Sequence, residues 1–269
     1  MTEHELLAHL VASRLAGRVA TLSSNSLRNA DRLVEGDPDC TMGLSDWRDA
    51  GYDEVLAAVH AVGGRELDPE AAHHPGGGYI EPDATLEGIM RHQRVLAEFV
   101  AAGGGRVVVA TGHPSRLRHY AAVAGALESA GCHMVRPLEG VQDGLTTPEG
   151  RPCSIGYVEG VAVLAYDGRE HHTHRSLYME AMLDAVGGRD GVDLVVADHG
   201  YAGAAIEAGI DTLSIADIND PALPLAQARG RTAGVLLIDD GLDASLFVPV
   251  TEAVLAGVRH DGADVERSA

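Results

Sequence analysis

Lysine is absent from this chain of 269 residues, and each of its 20 basic residues is an arginine. The absence excludes two common catalytic devices, the lysine of a P-loop and a lysine that forms a Schiff base. Any group that neutralises a bound phosphate must therefore be an arginine, a histidine, a backbone N–H or a metal ion.

Cysteine is also scarce, with three residues that lie far apart in the sequence, Cys40, Cys132 and Cys153. We expect three free thiols and a reducing compartment rather than a disulfide framework. No apolar run approaches the length that spans a bilayer, and the acidic, amphipathic start of the chain is unlike a signal peptide. These features predict a cytoplasmic location.

Negative charge dominates the composition, because 40 acidic residues against 20 basic ones give a formal net charge of −20. Such a surface argues against nucleic acids and anionic membranes as partners. The hydrophobic content of 45% is enough for a sizeable core in one large or two small domains. Whether the chain forms a homo-oligomer stays open.

Apolar residues recur mostly at helical spacing between residues 2 and 105. The pattern predicts helices over 6–15, 26–34, 53–62 and 86–102. Gly and Pro predict a loop at 71–82, AAHHPGGGYIEP, whose His73–His74 pair we interpret as solvated. We accordingly predict a helical N-terminal cap region over 1–105 that lies over the ends of the strands that follow it.

Beyond residue 105, short aliphatic runs alternate with helix-length segments. The runs are 107–110, 132–135, 161–165, 194–197, 212–215 and 235–238, and the candidate helices are 116–130, 176–186, 201–208, 221–229 and 248–258. Apolar strands that alternate with helices are typical of a parallel sheet covered on both faces. We predict an α/β fold with a Rossmann-like, mostly parallel sheet, helices on both faces and a helical N-terminal region. Its catalytic region spans 106–260 and forms one integrated domain with the cap.

The turn-rich segment 137–170 is an exception to this alternation. Its strands at 154–158 and 161–166 are predicted to form a hairpin.

Polar residues stand at the strand ends, which is where an open parallel sheet binds its ligands. The ends carry Gly112 and His113, His172 and His174, Asp198 and His199, Asp217 to Asp220, and Asp239 to Gly241. Turn and cap preferences explain Asp, Asn and Gly at such positions, and Asp220 before Pro221 is typical of a helix N-cap. Those preferences do not explain histidine, so we expect a functional site.

Carboxylates and imidazoles along one edge of a sheet are ligands for a divalent cation. We predict a metal site formed by His172, His174, Asp198, Asp217 and Asp239. His172 and His174 are two residues apart, so on an extended segment both face the same side and can bind one ion. The ion stays open among Mg²⁺, Mn²⁺ and Zn²⁺, because carboxylates favour the first two and imidazoles favour the last two.

The turn Gly112-His113-Pro114, followed by Ser115 and Arg116, is typical of an anion site. Gly112 lets the backbone approach a ligand, Ser115 can cap the following helix, and the free N–H groups of that helix face an anion. Arginine early in a helix is unfavourable unless a bound phosphate offsets the helix dipole. An ordinary strand–turn–helix with a surface arginine explains the same residues, so both interpretations stay open.

Known phosphate chemistries narrow the mechanism further. The chain has no Cys-x₅-Arg loop, no P-loop, no Arg-His-Gly triplet and no Asp-x-Asp after an early strand. Metal-assisted hydrolysis remains.

Short segments from nearly the whole chain make up a combination of motifs. They are LVASRLAGRVAT (10–21), SLRNADRLVEGDP (26–38), ATGHPSRL (110–117), GVAVL (160–164), HTH (172–174), LVVADHGYAGAAIEAGID (194–211), ADINDPAL (216–223), DDGL (239–242) and PVTEAVL (249–255). Together they resemble a family of actinobacterial proteins labelled as phosphatases. The resemblance implies a phosphomonoesterase without naming its substrate. Members of that family often have Asn after the Asp pair, where this chain has Gly241.

We therefore predict a phosphatase that hydrolyses a small phosphorylated substrate with a divalent metal ion. The predicted catalytic residues are Asp198, His199 and His113, and the predicted substrate contacts are Gly112, Ser115, Arg116, Arg28 and Asn219. One alternative is a sugar-phosphate isomerase, in which a carboxylate abstracts a proton without a metal. Another is a non-catalytic ligand-binding protein on the same fold.

Overall fold

The computed structural model of the protein describes residues 1–65, 77–141 and 144–258, so the His73–His74 pair lies outside the described residues. The helices are α1 (Glu3–Ala12), α2 (Ser23–Val34), α3 (Pro38–Thr41), α4 (Tyr52–Gly63), α5 (Pro82–Ala101), α6 (Leu117–Ser129), α7 (Leu177–Val186), α8 (His199–Glu207), α9 (Ala222–Ala228) and α10 (Val248–Leu255). The strands are β1 (Gly17–Leu22), β2 (Gly77–Ile80), β3 (Arg106–Val109), β4 (His133–Met134), β5 (Leu145–Thr146), β6 (Pro152–Val158), β7 (Val161–Tyr166), β8 (Arg169–His171), β9 (Leu194–Asp198), β10 (Thr212–Ala216) and β11 (Val235–Leu237).

Five parallel strands in the order β11-β10-β9-β3-β4 form the central sheet. Five of the predicted aliphatic runs contribute to it, which confirms the Rossmann-like α/β prediction. The sixth run, 161–165, lies in β7, which pairs antiparallel with β6 and β8 in a second sheet. The predicted hairpin is therefore confirmed. Its turn, Glu159-Gly160, has positive φ angles of 48° and 84°, which suits a two-residue hairpin turn and folds β7 back on β6.

Two strands lie within the N-terminal region that the sequence predicts to be helical, β1 between the predicted helices 6–15 and 26–34, and β2 in the predicted loop. Helix α1 ends at Ala12, three residues earlier than expected, because Arg14 and Gly17 adopt positive φ and lead the chain into β1. Strand β2 occupies part of the predicted 71–82 loop and pairs antiparallel with β1. A Cβ atom on Gly77 would lie 2.5 Å from the Val19 carbonyl oxygen, so glycine here allows close strand pairing rather than a turn.

Alternate residues of the central sheet face two separate cores. Val108 and Ala110 belong to the core under α2, α4, α7, α8 and α9, whereas Val107 and Val109 belong to the core under α1, α5, α6 and α10. Burial on both faces is the reason why these strands are continuous apolar runs. Helices from residues 1–105 contribute to both cores, and the separation of a cap region (1–105) from a catalytic region (106–260) stays a prediction.

The connections of the sheet diverge between β3 and β9. From β3 the chain passes through α6 to β4 on one side, and from β9 it passes through α8 and α9 to β10 and β11 on the other. A ligand crevice forms at such a switch point, beyond the carboxyl ends of the strands. Among the described helices, none combines the length and the apolar character that a bilayer crossing requires.

Candidate active site

Asp198 ends β9 at this switch point and is fully buried. Its carboxylate accepts hydrogen bonds from the Thr111 hydroxyl and the Gly112 N–H, both at 2.6 Å, and so joins the ends of β3 and β9. Burial alone would raise the pKa of Asp198, but the charge of His199 and these hydrogen bonds outweigh burial and lower the pKa below its ordinary value. Asp198 is therefore an ionised anchor for its neighbour, His199.

His199 begins α8 in a backbone conformation that residues other than glycine rarely adopt, with φ of 45°. Its buried imidazole places Nδ1 3.3 Å from Oδ1 of Asp198. Backbone strain of this kind persists only where the surrounding structure holds it, and it concentrates at functional sites. The strained turn therefore marks His199 as a functional candidate beyond its residue type.

Two further carboxylates approach the other side of the His199 ring. Nε2 lies 3.5 Å from Oδ2 of Asp220 and 3.6 Å from Oδ2 of Asp240, and all three residues are buried. Within the described part of the chain, Oδ2 of Asp240 on this side of the ring has no hydrogen-bond partner, while Nδ1 on the other side faces Asp198. A buried polar atom without a partner costs about 1–3 kcal/mol, so this point of the structure is suited to a polar ligand.

The charges of this triad depend on one another. Burial lowers the pKa of His199, but Asp220 and Asp198 outweigh burial and raise that pKa well above its ordinary value. Burial likewise opposes ionisation of Asp220, yet the imidazolium holds the Asp220 pKa at about 2. Asp240 has its pKa raised to about 7, chiefly by burial and also by the nearby Asp220 and Asp198 carboxylates.

Neither Asp220 nor Asp240 was among the residues that the sequence placed in the metal site. The N-cap interpretation of Asp220 is wrong, because Pro221 is the N-cap of α9 and the Asp220 carboxylate accepts the Asp217 N–H at 3.0 Å. Asp240 follows Asp239 directly, and the side chains of two such neighbours at the end of a strand point in different directions. The sequence does show a second acidic residue at each of these two strand ends. It does not show whether that residue belongs to a site or is an ordinary aspartate of a turn.

Asp217 and Asp239 bond instead to the N-terminal strand β1. Oδ2 of Asp217 accepts the Thr21 hydroxyl, and Oδ2 of Asp239 accepts the Ala20 N–H at 2.6 Å. Burial and the adjacent Asp240 and Asp239 raise the pKa of Asp217 well above its ordinary value. Protein donors thus already engage both carboxylates, and their role as metal ligands stays a prediction.

The two histidines of the His-Thr-His motif approach the same point from another direction. They follow β8, the return strand of the antiparallel sheet, and not the carboxyl end of β7 as the sequence suggested. The ring centroids of His174 and His172 lie 4.3 Å and 5.2 Å from that of His199, and one ligand atom of each lies within 4.8 Å of the others. His113 lies beside them, with its centroid 4.7 Å from His172.

Two glycines hold the segment that carries these histidines. A Cβ on Gly112 would lie 2.2 Å from the Thr173 carbonyl oxygen, and a Cβ on Gly200 would lie 2.4 Å from that of His174. The segment is also fixed by the Thr173 N–H, which donates to the Gly112 carbonyl at 2.8 Å. The close approach of the 173–175 backbone therefore requires glycine at position 112. The sequence analysis attributed this glycine to the approach of a ligand, and that role stays a prediction.

Arg116 is buried, unlike the surface arginine of the alternative interpretation. Its guanidinium carbon lies 4.0 Å above the Phe247 ring, Nη2 donates to the Leu242 carbonyl, and Nη1 has no hydrogen-bond partner among the described residues. Ser115 does not cap α6, which has Arg116 as its N-cap residue and no side-chain cap. The Ser115 hydroxyl instead contacts Nδ1 of His113 at 2.5 Å. That contact orients the imidazole next to the cluster.

The last two predicted substrate contacts lie on the α2 side of the cluster. Arg28 is exposed and donates to Oδ1 of Asn25 at 2.9 Å. Asn219 is half-buried, and its carbonyl accepts the side-chain N–H of Asn29 at 2.8 Å. Their contact with a substrate stays a prediction.

Comparisons with known proteins match the chain over most of its length. A family model described as Phosphatase matches residues 1–261. A protein of Streptomyces coelicolor named Phosphatase SCO2771 is 40% identical over 245 residues, which cover 88% of each chain. No solved structure matches the chain significantly.

Proposed function

The chain belongs to the Phosphatase family, and on that premise we propose that it hydrolyses small phosphate monoesters with the help of a divalent cation. The observation that carries the proposal is the buried triad of His199, Asp220 and Asp240, in which Oδ2 of Asp240 has no hydrogen-bond partner among the described residues. Such a set, beside three further imidazoles, is what metal-assisted hydrolysis requires and what a purely structural turn does not.

The triad fits a cation by its geometry as well as by its chemistry. Ligands at about 2.1 Å from a tetrahedral ion are roughly 3.4 Å apart, and Nε2 of His199 lies 3.5 Å and 3.6 Å from the two carboxylate oxygens. One imidazole and two carboxylates suit Mn²⁺ or Zn²⁺, while Mg²⁺ prefers oxygen ligands alone. His172 and His174 stay in the proposal because, together with His199, they form a second group of residues that could hold a cation.

A cation held by these residues would supply positive charge for the phosphoryl oxygens and acidify a water molecule. The protein supplies orientation. Asp198 is fixed by Thr111 and Gly112 and holds the Nδ1 side of His199, so that Nε2 faces the two other carboxylates. Support of this kind from outside the ligand set is what keeps a metal ligand in position.

Phosphate would bind on the open side of the cluster, where His113 is only half-buried. Burial and the charge of His199 lower the pKa of His113 to about 4, so its imidazole is a neutral base. Water would attack phosphorus while His113 takes a proton from that water, and His113 would return the proton to the departing alcohol as the bond from phosphorus to the ester oxygen breaks. Ser115 orients His113 for this role through its hydroxyl. Arg116 would contact phosphate through its unpartnered Nη1, and Arg28 and Asn219 would contact the substrate from the α2 side.

The test is a screen for release of inorganic phosphate from phosphorylated metabolites, with and without added Mg²⁺, Mn²⁺ and Zn²⁺. We expect turnover that disappears after exhaustive chelation and returns with one of these ions. Full turnover in the chelated protein would refute the role of the cation. Conversion of an aldose phosphate to a ketose phosphate without phosphate release would favour the isomerase, and saturable binding without turnover would favour the ligand-binding protein.

A further inference from the structure

A pocket of about 460 Å³ opens beside the imidazoles of the candidate site. His172 and His174 line both the pocket and the cluster, so the two are continuous. The other walls come from α2, α3, the turn after β5 and the end of β7. A phosphate held at the cluster would therefore leave the rest of its ester in this pocket. Its volume is ample for a sugar and lies in the range that holds drug-sized molecules, so the lining and not the size must select the group.

The charged side chains of the pocket are already balanced. Two arginines belong to the described lining, and each has a carboxylate beside its guanidinium. Nη2 of Arg32 lies 2.8 Å from Oδ2 of Asp37, and Nη1 of Arg175 lies 3.5 Å from Oδ1 of Asp39. Glu149, also in the lining, adds a further negative charge. A second phosphate or a carboxylate on the substrate would meet no uncommitted cation among these residues, and it would meet repulsion from Glu149.

The aromatic lining does not offer a slot for a flat base. Tyr178 is buried, and one face of the Tyr166 ring is stacked on His171 with centroids 3.3 Å apart. Proteins hold nucleobases by stacking them on aromatic faces, commonly between two side chains. Within the described lining only one open aromatic face remains at Tyr166, which suits the C–H face of a sugar better than a sandwiched base.

The remaining lining combines hydrogen-bond donors and acceptors in close proximity. The Asn29 amide, which donates one N–H to the Asn219 carbonyl, has a second N–H left. The Thr147 hydroxyl, which accepts the Arg151 N–H at 3.3 Å, can still donate, and Glu149 adds an accepting carboxylate. Hydroxyl groups both donate and accept, so neighbouring hydroxyls on one molecule satisfy such a mixed set. A site of this kind rejects analogues that lack the hydroxyls, because its polar groups would then be left without partners.

We propose that this pocket binds an uncharged polyhydroxyl group, so that the substrates of the site are the monophosphates of sugars or polyols. The inference rests on the proposed phosphatase function and adds the class of the alcohol. It assigns the selection against a second negative charge to Glu149 and the hydroxyl contacts to Asn29 and Thr147.

The experiment compares kcat/KM of the full chain on hexose monophosphates, polyol monophosphates, hexose bisphosphates, nucleoside monophosphates and p-nitrophenyl phosphate. We expect hexose or polyol monophosphates to exceed the bisphosphates and the nucleotides by at least about tenfold, the effect of one or two hydrogen bonds. The variant Glu149→Arg should shift the ratio of bisphosphate to monophosphate by about tenfold toward bisphosphate. The matched control is Glu170→Arg, an equal charge change at an exposed residue of β8 outside the pocket lining, which should not shift that ratio.

The outcomes separate this inference from the function on which it rests. Turnover of p-nitrophenyl phosphate with equal or better use of bisphosphates or nucleotides would overturn the sugar assignment and leave the phosphatase proposal standing. An unchanged substrate ratio in Glu149→Arg would also overturn it. If no ester of the panel releases phosphate, the proposed function fails, and calorimetry with hexose monophosphate then tests the pocket, because an absence of binding overturns the inference as well.

Discussion

Asp239 and Asp240 are adjacent, and we predict that the same substitution has opposite effects at the two positions. In Asp239→Asn the fully buried carboxylate, which accepts the Ala20 N–H at 2.6 Å and the Gly241 N–H at 3.1 Å, becomes an amide with one accepting oxygen. Whichever way the amide turns, its NH₂ group faces one of two N–H donors. In Asp240→Asn a buried charge with an unpartnered oxygen, among the described residues, becomes neutral.

The magnitudes follow from these contacts. Loss of a charge-assisted hydrogen bond and a buried donor left unsatisfied should together cost Asp239→Asn about 2–4 kcal/mol in free energy of unfolding. In a chain of this size that corresponds to a fall in Tm of roughly 5–15 °C. Asp240→Asn removes a charge that Asp220 and Asp198 repel, so the metal-free protein should be as stable as the parent or more stable by up to about 2 kcal/mol. Its kcat should fall by at least about a hundredfold, because it loses a proposed cation ligand.

Thermal and urea unfolding of both variants after chelation test the predicted stabilities, and kinetics on one phosphate ester test the predicted fall in kcat. Calorimetric titration with Mn²⁺ and Zn²⁺ adds an independent readout, since Asp240→Asn should weaken cation binding and Asp239→Asn should not do so in its folded fraction. A parent-like kcat in folded Asp240→Asn would refute its place in the site. A parent-like stability of Asp239→Asn would refute the structural role of that carboxylate.

Three further predictions concern other parts of the molecule. Gly112→Ala should displace the segment at Thr173, because its Cβ would lie 2.2 Å from that carbonyl oxygen, and it should lower both Tm and cation affinity; a variant with parent-like values of both would contradict this packing. The buried His92, whose Nε2 lies 2.7 Å from the Gly234 carbonyl oxygen, has its pKa lowered to about 4 by burial. Between about pH 4 and 6.5 the folded state therefore binds fewer protons than the unfolded state. The contribution of the neutral His92 to the free energy of unfolding is complete above about pH 6.5 and is lost as the pH falls toward 4, by up to about 3 kcal/mol. Urea midpoints at pH 7 and 4.5 should differ less in His92→Gln than in the parent. The three cysteines are free and buried, so thiol titration should count three in denaturant and react slowly in the native protein, and a count of one in denaturant would indicate a disulfide.

Much of the fold follows from local patterns that the sequence displays directly. The aliphatic runs at 107–110, 194–197, 212–215 and 235–238 predicted the parallel sheet, because strands buried on both faces need apolar residues without alternation. The hairpin at 154–166 was also predicted, from two strand-like runs in a turn-rich segment, and its turn residues adopt the positive φ that a two-residue connection requires. Strand β2 was not predicted, because its glycines are typical of a loop and only the packing against β1 shows why they are needed.

The content of the candidate site depended on the sequence and on the tertiary structure in different ways. The sequence by itself determined that His113, His199 and the aspartates stand at the ends of the parallel strands and would gather at one edge, because those carboxyl ends point the same way. Only the tertiary structure decided that His172 and His174 join them from the antiparallel strand β8. Only the tertiary structure decided that Asp220 and Asp240 face His199 while Asp217 and Asp239 bond to β1. The physical reason is that a side chain's direction after a strand depends on one or two backbone dihedrals and on contacts with residues about 200 positions away in the chain, neither of which a local pattern encodes.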